Sequence, residues 1–187
     1  TATLNITRSQ FNHNGYDGLR AEGGAYASEG SATASITDVE FIGNGNYGMY
    51  MLYGAYSGEG DATFNMTRVT AHSNTNDGAR FYYSMGFSAE GNVTANISSS
   101  SFSFNGDYGI YAPVGVYAED GNATANITSS SFDYNGEYGL FFEGYGAYSQ
   151  DGDATFNMTH VTANNNTNGG VLFYYYMAYS GDGNASA

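Results

Sequence analysis

Polar and apolar residues alternate with a period of two in a short segment that recurs along the chain. In ATANIT, residues 123–128, small or apolar side chains occupy every second position, and Thr, Asn and Thr lie between them. A period of two predicts a β-strand with one buried and one exposed face. Related segments begin 30 or 31 residues apart, at Ala2, Ala32, Ala62, Val93, Ala123, Ala154 and Ala185.

The rest of each unit also predicts strands and turns, and no segment carries a helical period. After ATANIT comes SSSFDYNGEYGLFF, in which Asn-Gly is a turn signal because both residues tolerate positive φ angles. A second strand follows at YGLFF or YGMYM, a third short one at GAYS or GVYA, and an acidic turn leads to the next unit. Three short strands in a unit of constant length predict one coil of an all-β solenoid, with coils stacked about 4.8 Å apart.

The whole chain is therefore predicted to be a single domain of six coils. Their bounds are 2–31, 32–61, 62–92, 93–122, 123–153 and 154–184. The third and sixth coils share ATFNMT, NTN and FYY, and the second and fifth share GAYS. These similarities divide the chain into two blocks of three coils, 2–92 and 93–184.

The units resemble the right-handed parallel β-helix repeat of the pectate-lyase-like superfamily. The resemblance rests on SSSFDYNGEYGLFF, SSSFSFNGDYGIYA and DVEFIGNGNYGMYM, in which Phe precedes Asn-Gly and then an aromatic-Gly-aliphatic strand. The third and sixth units depart from the motif, with NTNDGARF and NTNGGVLF. The resemblance implies a right-handed parallel β-helix but no single function, because members include polysaccharide lyases, hydrolases, surface adhesins and cell-surface repeat proteins.

One asparagine recurs at the same position of every coil. Stacked Asn side chains hydrogen-bond along a solenoid and satisfy the backbone of turns. We expect these residues to form a structural ladder: Asn14, Asn44, Asn74, Asn105, Asn135 and Asn166.

An aromatic residue recurs in the third strand of each coil, at Tyr26, Tyr56, Phe87, Tyr117, Tyr148 and Tyr179. In GAYS, small residues flank the tyrosine, which favours an inward ring that stacks in the core. The alternative is an outward ring that contacts a sugar or a neighbouring rod. FYYSM and FYYYM differ, because consecutive aromatic residues cannot all point inward from one strand. Exposed rings that contact a protein or a glycan are therefore predicted at Tyr82, Tyr83, Tyr174, Tyr175 and Tyr176.

Charge and composition limit the partners of the chain. Eighteen acidic residues face only four arginines and no lysine, which gives a formal net charge of −14. Such a chain lacks the basic residues that neutralise nucleic-acid phosphates or an anionic membrane surface. No apolar run approaches the roughly 20 residues of a membrane span. Without cysteine, neither disulfides nor Cys-ligated metals contribute to stability.

The acidic turn recurs in every coil, and two interpretations of it remain open. One is a solvated charged edge, although carboxylates about 4.8 Å apart repel each other by about 1 kcal/mol in water. The other is Ca²⁺ bound between successive turns, which needs about six to eight oxygen ligands from carboxylates, amides and carbonyls. No cofactor is required by the first interpretation. The candidate Ca²⁺ ligands are Glu29, Glu59, Asp61, Glu90, Asp120, Asp151, Asp153 and Asp182.

The sequence also contains Asn-x-Ser/Thr motifs for N-glycosylation, at Asn5, Asn65, Asn92, Asn96, Asn122, Asn126, Asn157, Asn165 and Asn184. A chain rich in Asn, Ser and Thr produces some of these by chance. Five of them share one outward strand position, where glycans about 4.8 Å apart would clash. Partial glycosylation of a secreted or cell-surface protein is therefore the prediction.

No active site is predicted, and we expect the chain not to be an enzyme. Lyases of this fold need clustered acids for Ca²⁺ with a basic proton acceptor, and hydrolases need carboxylates gathered on one face. Here the acid of the turn occurs once per coil, and His13, His72 and His160 fall at different repeat positions. No pair of a nucleophile and a base can be recognised.

Two functional hypotheses remain. The first is a non-catalytic structural repeat protein of an extracellular filament, sheath or surface layer, whose copies assemble by stacking end to end and also contact each other laterally. The chain opens at TATLNIT and closes at DGNASA, both inside the pattern, which is also expected of a window from a longer solenoid. Open strand edges pair with whatever fits. The second hypothesis is a cell-surface adhesin or a glycan-binding stalk.

The calcium interpretation predicts that a chelator lowers the melting temperature, because Ca²⁺ would bind only the native state. Thermal unfolding followed by circular dichroism, with excess Ca²⁺ and then with excess EDTA, measures this shift. The double variant Asp151→Asn/Asp153→Asn should lose part of the dependence. An identical melting temperature in both buffers would contradict the calcium sites.

Overall fold

The structure is a computed structural model that describes all 187 residues, Thr1–Ala187. It contains seventeen β-strands and no helix, and thus no helix that could span a membrane. In chain order the strands are β1 (Ala2–Gln10), β2 (Leu19–Ala27), β3 (Ala32–Ile42), β4 (Met49–Ser57), β5 (Ala62–His72), β6 (Ala79–Ser88), β7 (Val93–Ser98), β8 (Ser101–Ser103), β9 (Ile110–Ala112), β10 (Val114–Ala118), β11 (Ala123–Thr128), β12 (Tyr138–Phe142), β13 (Tyr145–Ser149), β14 (Ala154–Thr159), β15 (Gly169–Phe173), β16 (Tyr176–Ser180) and β17 (Ala185–Ser186).

All strands pair in parallel and form two sheets that run along the molecule. The first sheet has the order β1-β3-β5-β7-β11-β14-β17, with β8 beside β5. The second begins with β2-β4-β6 and continues from β6 in two rows, β9-β12-β15 and β10-β13-β16. Paired residues lie one coil apart, as in the series Ala2, Ala32, Ala62, Val93, Ala123, Ala154 and Ala185. The predicted all-β solenoid of stacked coils is confirmed.

The inward residues of the first sheet form one wall of the core, and their alternation follows the predicted period of two. In β5, Ala62, Phe64 and Met66 are completely buried, and the residues between them face outward. Phenylalanines stack from coil to coil in the core, with 5.4 Å between the ring centroids of Phe102 and Phe132. Each such buried side chain contributes about 2 kcal/mol to stability.

Each coil contains four extended pieces rather than three. The additional piece directly follows the first strand: it continues β3 and β5 in the early coils, forms the separate β8 in the fourth, and is reduced to single bridges at Ser131 and Thr162. The second and third predicted strands are one continuous strand in β2, β4 and β6. They separate in the fourth coil at Pro113, which has no N–H to donate to a sheet.

Two columns of left-handed backbone bend each coil. The first is Arg8, Asp38, Arg68, Ser99, Ser129 and His160, and the second is His13, Gly43, Ser73, Phe104, Tyr134 and Asn165. The sequence predicts positive φ at Asn-Gly, and this assignment is wrong, because the left-handed residue is the one just before the Asn. A left-handed conformation costs a non-glycine residue about 1 kcal/mol. Pairing with the neighbouring coils therefore fixes these corners against local preference.

The asparagine ladder lies next to the second corner and extends through all six coils. Each Nδ2 donates to the Oδ1 of the Asn one coil further along, at 2.9 to 3.1 Å. The same Oδ1 accepts the backbone N–H of the preceding Asn. Asn105 also donates to the carbonyl of Ala71 in the coil before it. The ladder thus satisfies turn backbone between coils, and from Asn44 to Asn135 it lies in the buried interior of the rod.

A glycine four residues after each ladder asparagine allows this close approach. At Gly48, an added Cβ would lie 2.5 Å from the carbonyl oxygen of Gly78 and 2.8 Å from Nδ2 of Asn74. No side chain fits at such distances without displacing the backbone of the next coil. The glycine of the aromatic-Gly-aliphatic motif therefore has a steric origin.

Replacing a central ladder residue should destabilise the rod far more than replacing a terminal one. Asn105→Ala leaves the buried N–H of Asn74 without an acceptor, at about 1 to 3 kcal/mol. It also removes the side-chain hydrogen bonds to Nδ2 of Asn74, to Oδ1 of Asn135 and to the carbonyl of Ala71. Asn14→Ala is the matched control, because Asn14 is exposed and only donates to Asn44. Urea denaturation measures both free energies of unfolding, and equal losses would contradict the structural role of the ladder.

Candidate functional site on the outer face of the second sheet

The aromatic residue of the third predicted strand faces outward, so the prediction of an inward ring is wrong. In β4, Ala55 and Ser57 are buried and Tyr56 lies between them on the outer face. The cause is the thinness of the core at this point. Phe64 from the first sheet packs so close that a Cβ on Gly54 would lie 2.5 Å from its ring. Only small side chains fit on the inner side, and the large ring occupies the outer side.

Six of these outward rings form one column along the rod, here called the aromatic column: Tyr26, Tyr56, Phe87, Tyr117, Tyr148 and Tyr179. Successive ring centroids are 4.6 to 5.5 Å apart. Tyr26 and Tyr56 are within 8° of parallel, whereas Tyr117 stands edge-on to both of its neighbours. Such pairs are worth about 1 kcal/mol each beyond their buried area, so the column stabilises the coils as well as covering them.

The tyrosines predicted to be exposed lie beside this column. Tyr82 and Tyr83 are exposed at an irregularity in the pairing of β4 with β6, where the third coil has an extra residue. Tyr174, Tyr175 and Tyr176 are exposed in the sixth coil, and Tyr174 reaches 67 % exposure. The rings of Tyr82 and Tyr83 are perpendicular, with centroids 4.8 Å apart. A bulge of this kind re-aims side chains away from the regular face.

An apolar groove of about 300 Å³ lies between the aromatic column and Tyr83, at the junction of the two three-coil blocks. It spans the second to the fourth coil, and Tyr53, Tyr83, Phe87, Val114 and Tyr117 line it together with Ser84 and Pro113. The groove exists because the fourth coil has Pro-Val where the neighbouring coils place tyrosines. Five of its seven lining residues are hydrophobic, and it breaks the symmetry of the repeat.

The outer face of the second sheet also carries two ion pairs that sequence reasoning missed, Arg20–Asp17 and Arg80–Asp77. Arg80 donates to Asp77 at 2.9 Å, and the arginine Cζ lies 4.1 Å from the ring centroid of Tyr111. Asp77 is completely buried and also accepts the backbone N–H of Tyr108. Burial raises the pKa of Asp77 to about 6, although the Arg80 guanidinium acts in the opposite direction. The signal in the sequence is Asp-Gly-x-Arg, which occurs at residues 17–20 and 77–80.

A family model described as a right handed beta helix region matches residues 1–185. The chain belongs to the right-handed β-helix family. Neither a comparison with curated proteins nor one with solved structures found a match.

The acidic turns of this β-helix are exposed and do not gather into a cluster. All eight candidate Ca²⁺ ligands lie on the surface. Nowhere in the chain do three or more Asp, Glu, His or Cys side chains come close enough to hold a metal ion. Asp61 and Asp153 instead accept hydrogen bonds from the next coil. Asp61 accepts the backbone N–H of Asn92 at 2.9 Å, and Asp153 accepts that of Asn184 at 2.8 Å. Calcium binding remains a prediction.

The glycosylation motifs of the β-helix form a second ladder of hydrogen bonds. At the shared strand position, Asn96 donates through Nδ2 to Oδ1 of Asn65, and Asn126 and Asn157 continue the series at 2.9 Å. Asn5 lies at the same register position in the first coil. The remaining motifs, Asn92, Asn122, Asn165 and Asn184, lie on exposed turns.

The three histidines do not meet in the β-helix. His13 and His160 occupy left-handed corners in the first and sixth coils. His72 packs against Phe104, with 4.9 Å between ring centroids, and its Nδ1 is 2.7 Å from Oγ of Ser73. The three imidazole rings therefore lie in different coils and do not form a common site.

The raised pKa of Asp77 predicts a specific pH dependence of stability. Between about pH 4 and pH 6 the native state holds a proton that the unfolded chain, with a value near 3.8, has released. Stability therefore falls as pH rises through this window, by up to about 3 kcal/mol, and this effect is constant above it.

The variant Asp77→Asn should lack this component, so the difference in unfolding free energy between wild type and variant should change across pH 4 to 7. Urea denaturation at several pH values measures it. Asp120→Asn is the control, because Asp120 is exposed and makes no ion pair. Parallel profiles of wild type and Asp77→Asn would refute the assignment.

Proposed function

We propose that the chain is a non-catalytic structural rod of an extracellular filament, sheath or surface layer, in which β-helical blocks stack end to end. The observation that carries the proposal is the junction between the two blocks, which lies inside the chain. There Ala62 pairs with Val93 in the first sheet and Phe87 pairs with Tyr117 in the second. The asparagine ladder crosses the same junction, with 2.9 Å between Nδ2 of Asn74 and Oδ1 of Asn105.

The sixth coil has the features that accept a further block. It shares ATFNMT, NTN and FYY with the third coil, on which the second block stacks. The short β17 pairs with β14 in the same register as β7 pairs with β5, since Ala154 faces Ala185 as Ala62 faces Val93. The same contacts therefore extend the rod, with further blocks from the same chain or from another copy.

The aromatic column supports a structural role over recognition of sugars. Rings that stack face to face, such as Tyr26 on Tyr56, cover each other's faces and turn their edges outward. A sugar that stacks on an aromatic side chain needs the free face of the ring. In three of its five successive pairs, the column therefore offers ring edges rather than free ring faces to neighbouring molecules, and these stacks stiffen the rod. The glycosylation motifs support an extracellular or cell-surface location.

A second candidate function, a cell-surface adhesin or glycan-binding stalk, is favoured by the groove at the block junction. Tyr83 stacks on Tyr53 of the second coil, with 5.0 Å between ring centroids, but the fourth coil has Pro113 and Val114 rather than a ring to cover its other face. The groove beside Tyr83 holds about 300 Å³, and its lining is mainly aromatic. In this alternative, Tyr83 would contact a neutral sugar.

Electron microscopy and sedimentation velocity at increasing concentration test the structural proposal. Wild-type protein should form rods longer than the roughly 29 Å of six coils. Asn5→Pro should block growth at the first coil. Ala2 donates its N–H to Ser31, and parallel ladders alternate, so the N–H of Asn5 points to the free edge. Asn5→Ala is the matched control and should still assemble.

Monodisperse short rods at every concentration would overturn end-to-end assembly of this chain. Binding on a glycan array that is lost in Tyr83→Ala would favour the adhesin instead.

A further inference from the structure

Several phenol rings from neighbouring coils are held in direct contact on the outer face. Tyr26 and Tyr56 are register partners on parallel strands, and their ring centroids are 4.6 Å apart. Tyr148 and Tyr179 repeat this arrangement in the last two coils, at 5.5 Å and within 12° of parallel. Because partner residues extend from their strands in the same direction, equivalent carbons of the two rings lie about one centroid distance apart.

The composition makes these phenols the main exposed target for one-electron oxidation. The chain has no cysteine and no tryptophan, but it has 19 tyrosines. Cysteine and methionine are the usual sites of oxidation in proteins. Four of the six methionines, Met49, Met51, Met66 and Met85, are completely buried. In contrast, Tyr26 is 62 % exposed.

We propose that Tyr26–Tyr56 and Tyr148–Tyr179 are sites of oxidative phenol coupling, which forms a dityrosine bond between adjacent coils. The oxidant is of the peroxidase class, with hydrogen peroxide as the final electron acceptor. The proposal does not depend on filament formation, because both rings of each pair belong to one chain.

Coupling of one pair removes two protons and two electrons from the protein. Each hydroxyl loses one proton and one electron, which gives two phenoxyl radicals. A carbon–carbon bond forms between the two carbons ortho to the oxygens. Each of these carbons then loses its hydrogen as a proton, each oxygen regains a proton, and both rings become aromatic again. In total two hydrogen atoms leave the protein, and one molecule of hydrogen peroxide is reduced to two of water.

The structure also predicts where coupling stops. Phe87 occupies the middle of the aromatic column, 5.0 Å from Tyr56 and 5.2 Å from Tyr117. A phenylalanine has no hydroxyl hydrogen to lose, so it cannot join its neighbours. The junction between the third and fourth coils therefore remains without a covalent link in this column.

A coupled pair ties two residues that are 30 or 31 positions apart in the chain. A cross-link of this kind restricts the unfolded chain, as a disulfide does, and leaves the folded register unchanged. We expect oxidised protein to melt at a higher temperature than untreated protein, and to resist separation of the linked coils in denaturant.

The experiment treats dilute purified protein with a peroxidase and hydrogen peroxide, so that coupling within one chain dominates. Dityrosine fluorescence follows the reaction, and intact mass shows the loss of two hydrogens per link. Tandem mass spectrometry after digestion with a protease that cleaves after both Asp and Glu locates the links, because it places the two tyrosines of each pair in different peptides. We expect links between Tyr26 and Tyr56 and between Tyr148 and Tyr179 in monomeric product, with a raised melting temperature.

Three variants make the outcome specific. Tyr56→Phe preserves the stacked ring and should abolish only the link to Tyr26. Phe87→Tyr should create a new link to Tyr56 or to Tyr117. Tyr16→Phe is the control, because Tyr16 is exposed but contacts no other ring, and it should leave the links unchanged.

Links that are distributed without regard to register partners would overturn the proposal. So would extensive tyrosine oxidation without dityrosine in the monomer, or an unaltered link pattern in Tyr56→Phe.

Discussion

Every coil of this β-helix must return to its starting position displaced by one strand spacing, in both sheets at once. Backbone hydrogen bonding along the axis imposes this condition, and it leaves little freedom in the turns. The corners at Ser99 and Tyr134 adopt left-handed conformations that neither residue prefers. Turn amides are satisfied by side chains of the adjacent coil, as when Asp61 accepts the N–H of Asn92. Pairing between coils thus dominates the local preferences within a coil.

The same condition determines which side chains reach the surface. The space between the two sheets is narrow where Phe64 approaches Gly54, so large rings cannot also enter from the second sheet. Alternation then places them outside, where equivalent residues of successive coils meet at the spacing of the strands. A buried packing limit in one sheet therefore produces an extended aromatic surface on the other. The groove at the block junction arises where Pro113 and Val114 interrupt that surface.

The period-two pattern and the constant unit length are sufficient to predict the all-β solenoid and the stacking of Asn14 to Asn166. These features repeat in every coil, so each copy reinforces the signal. The orientation of Tyr56 could not be predicted from its small neighbours, because it depends on how close the opposite sheet lies. The buried Asp77–Arg80 pair was missed for a related reason: it occurs in only part of the repeat, and its burial depends on Tyr108 and Tyr111 of the next coil. Features that depend on contacts with the opposite sheet or with another coil are thus the ones that require the structure.

The outer asparagine ladder has a consequence for the order of events during synthesis. The atom that carries an N-linked glycan is Nδ2, and in Asn96 and Asn126 this atom already donates a hydrogen bond to the preceding coil. Once neighbouring coils have paired, the atom is engaged and the adjacent strands shield it. Attachment of a sugar at these positions therefore competes with the hydrogen bond between coils, and it is easiest while the chain is still emerging, before neighbouring coils have paired. Glycan occupancy along the ladder would then record how fast each coil folded relative to the enzyme that modifies it.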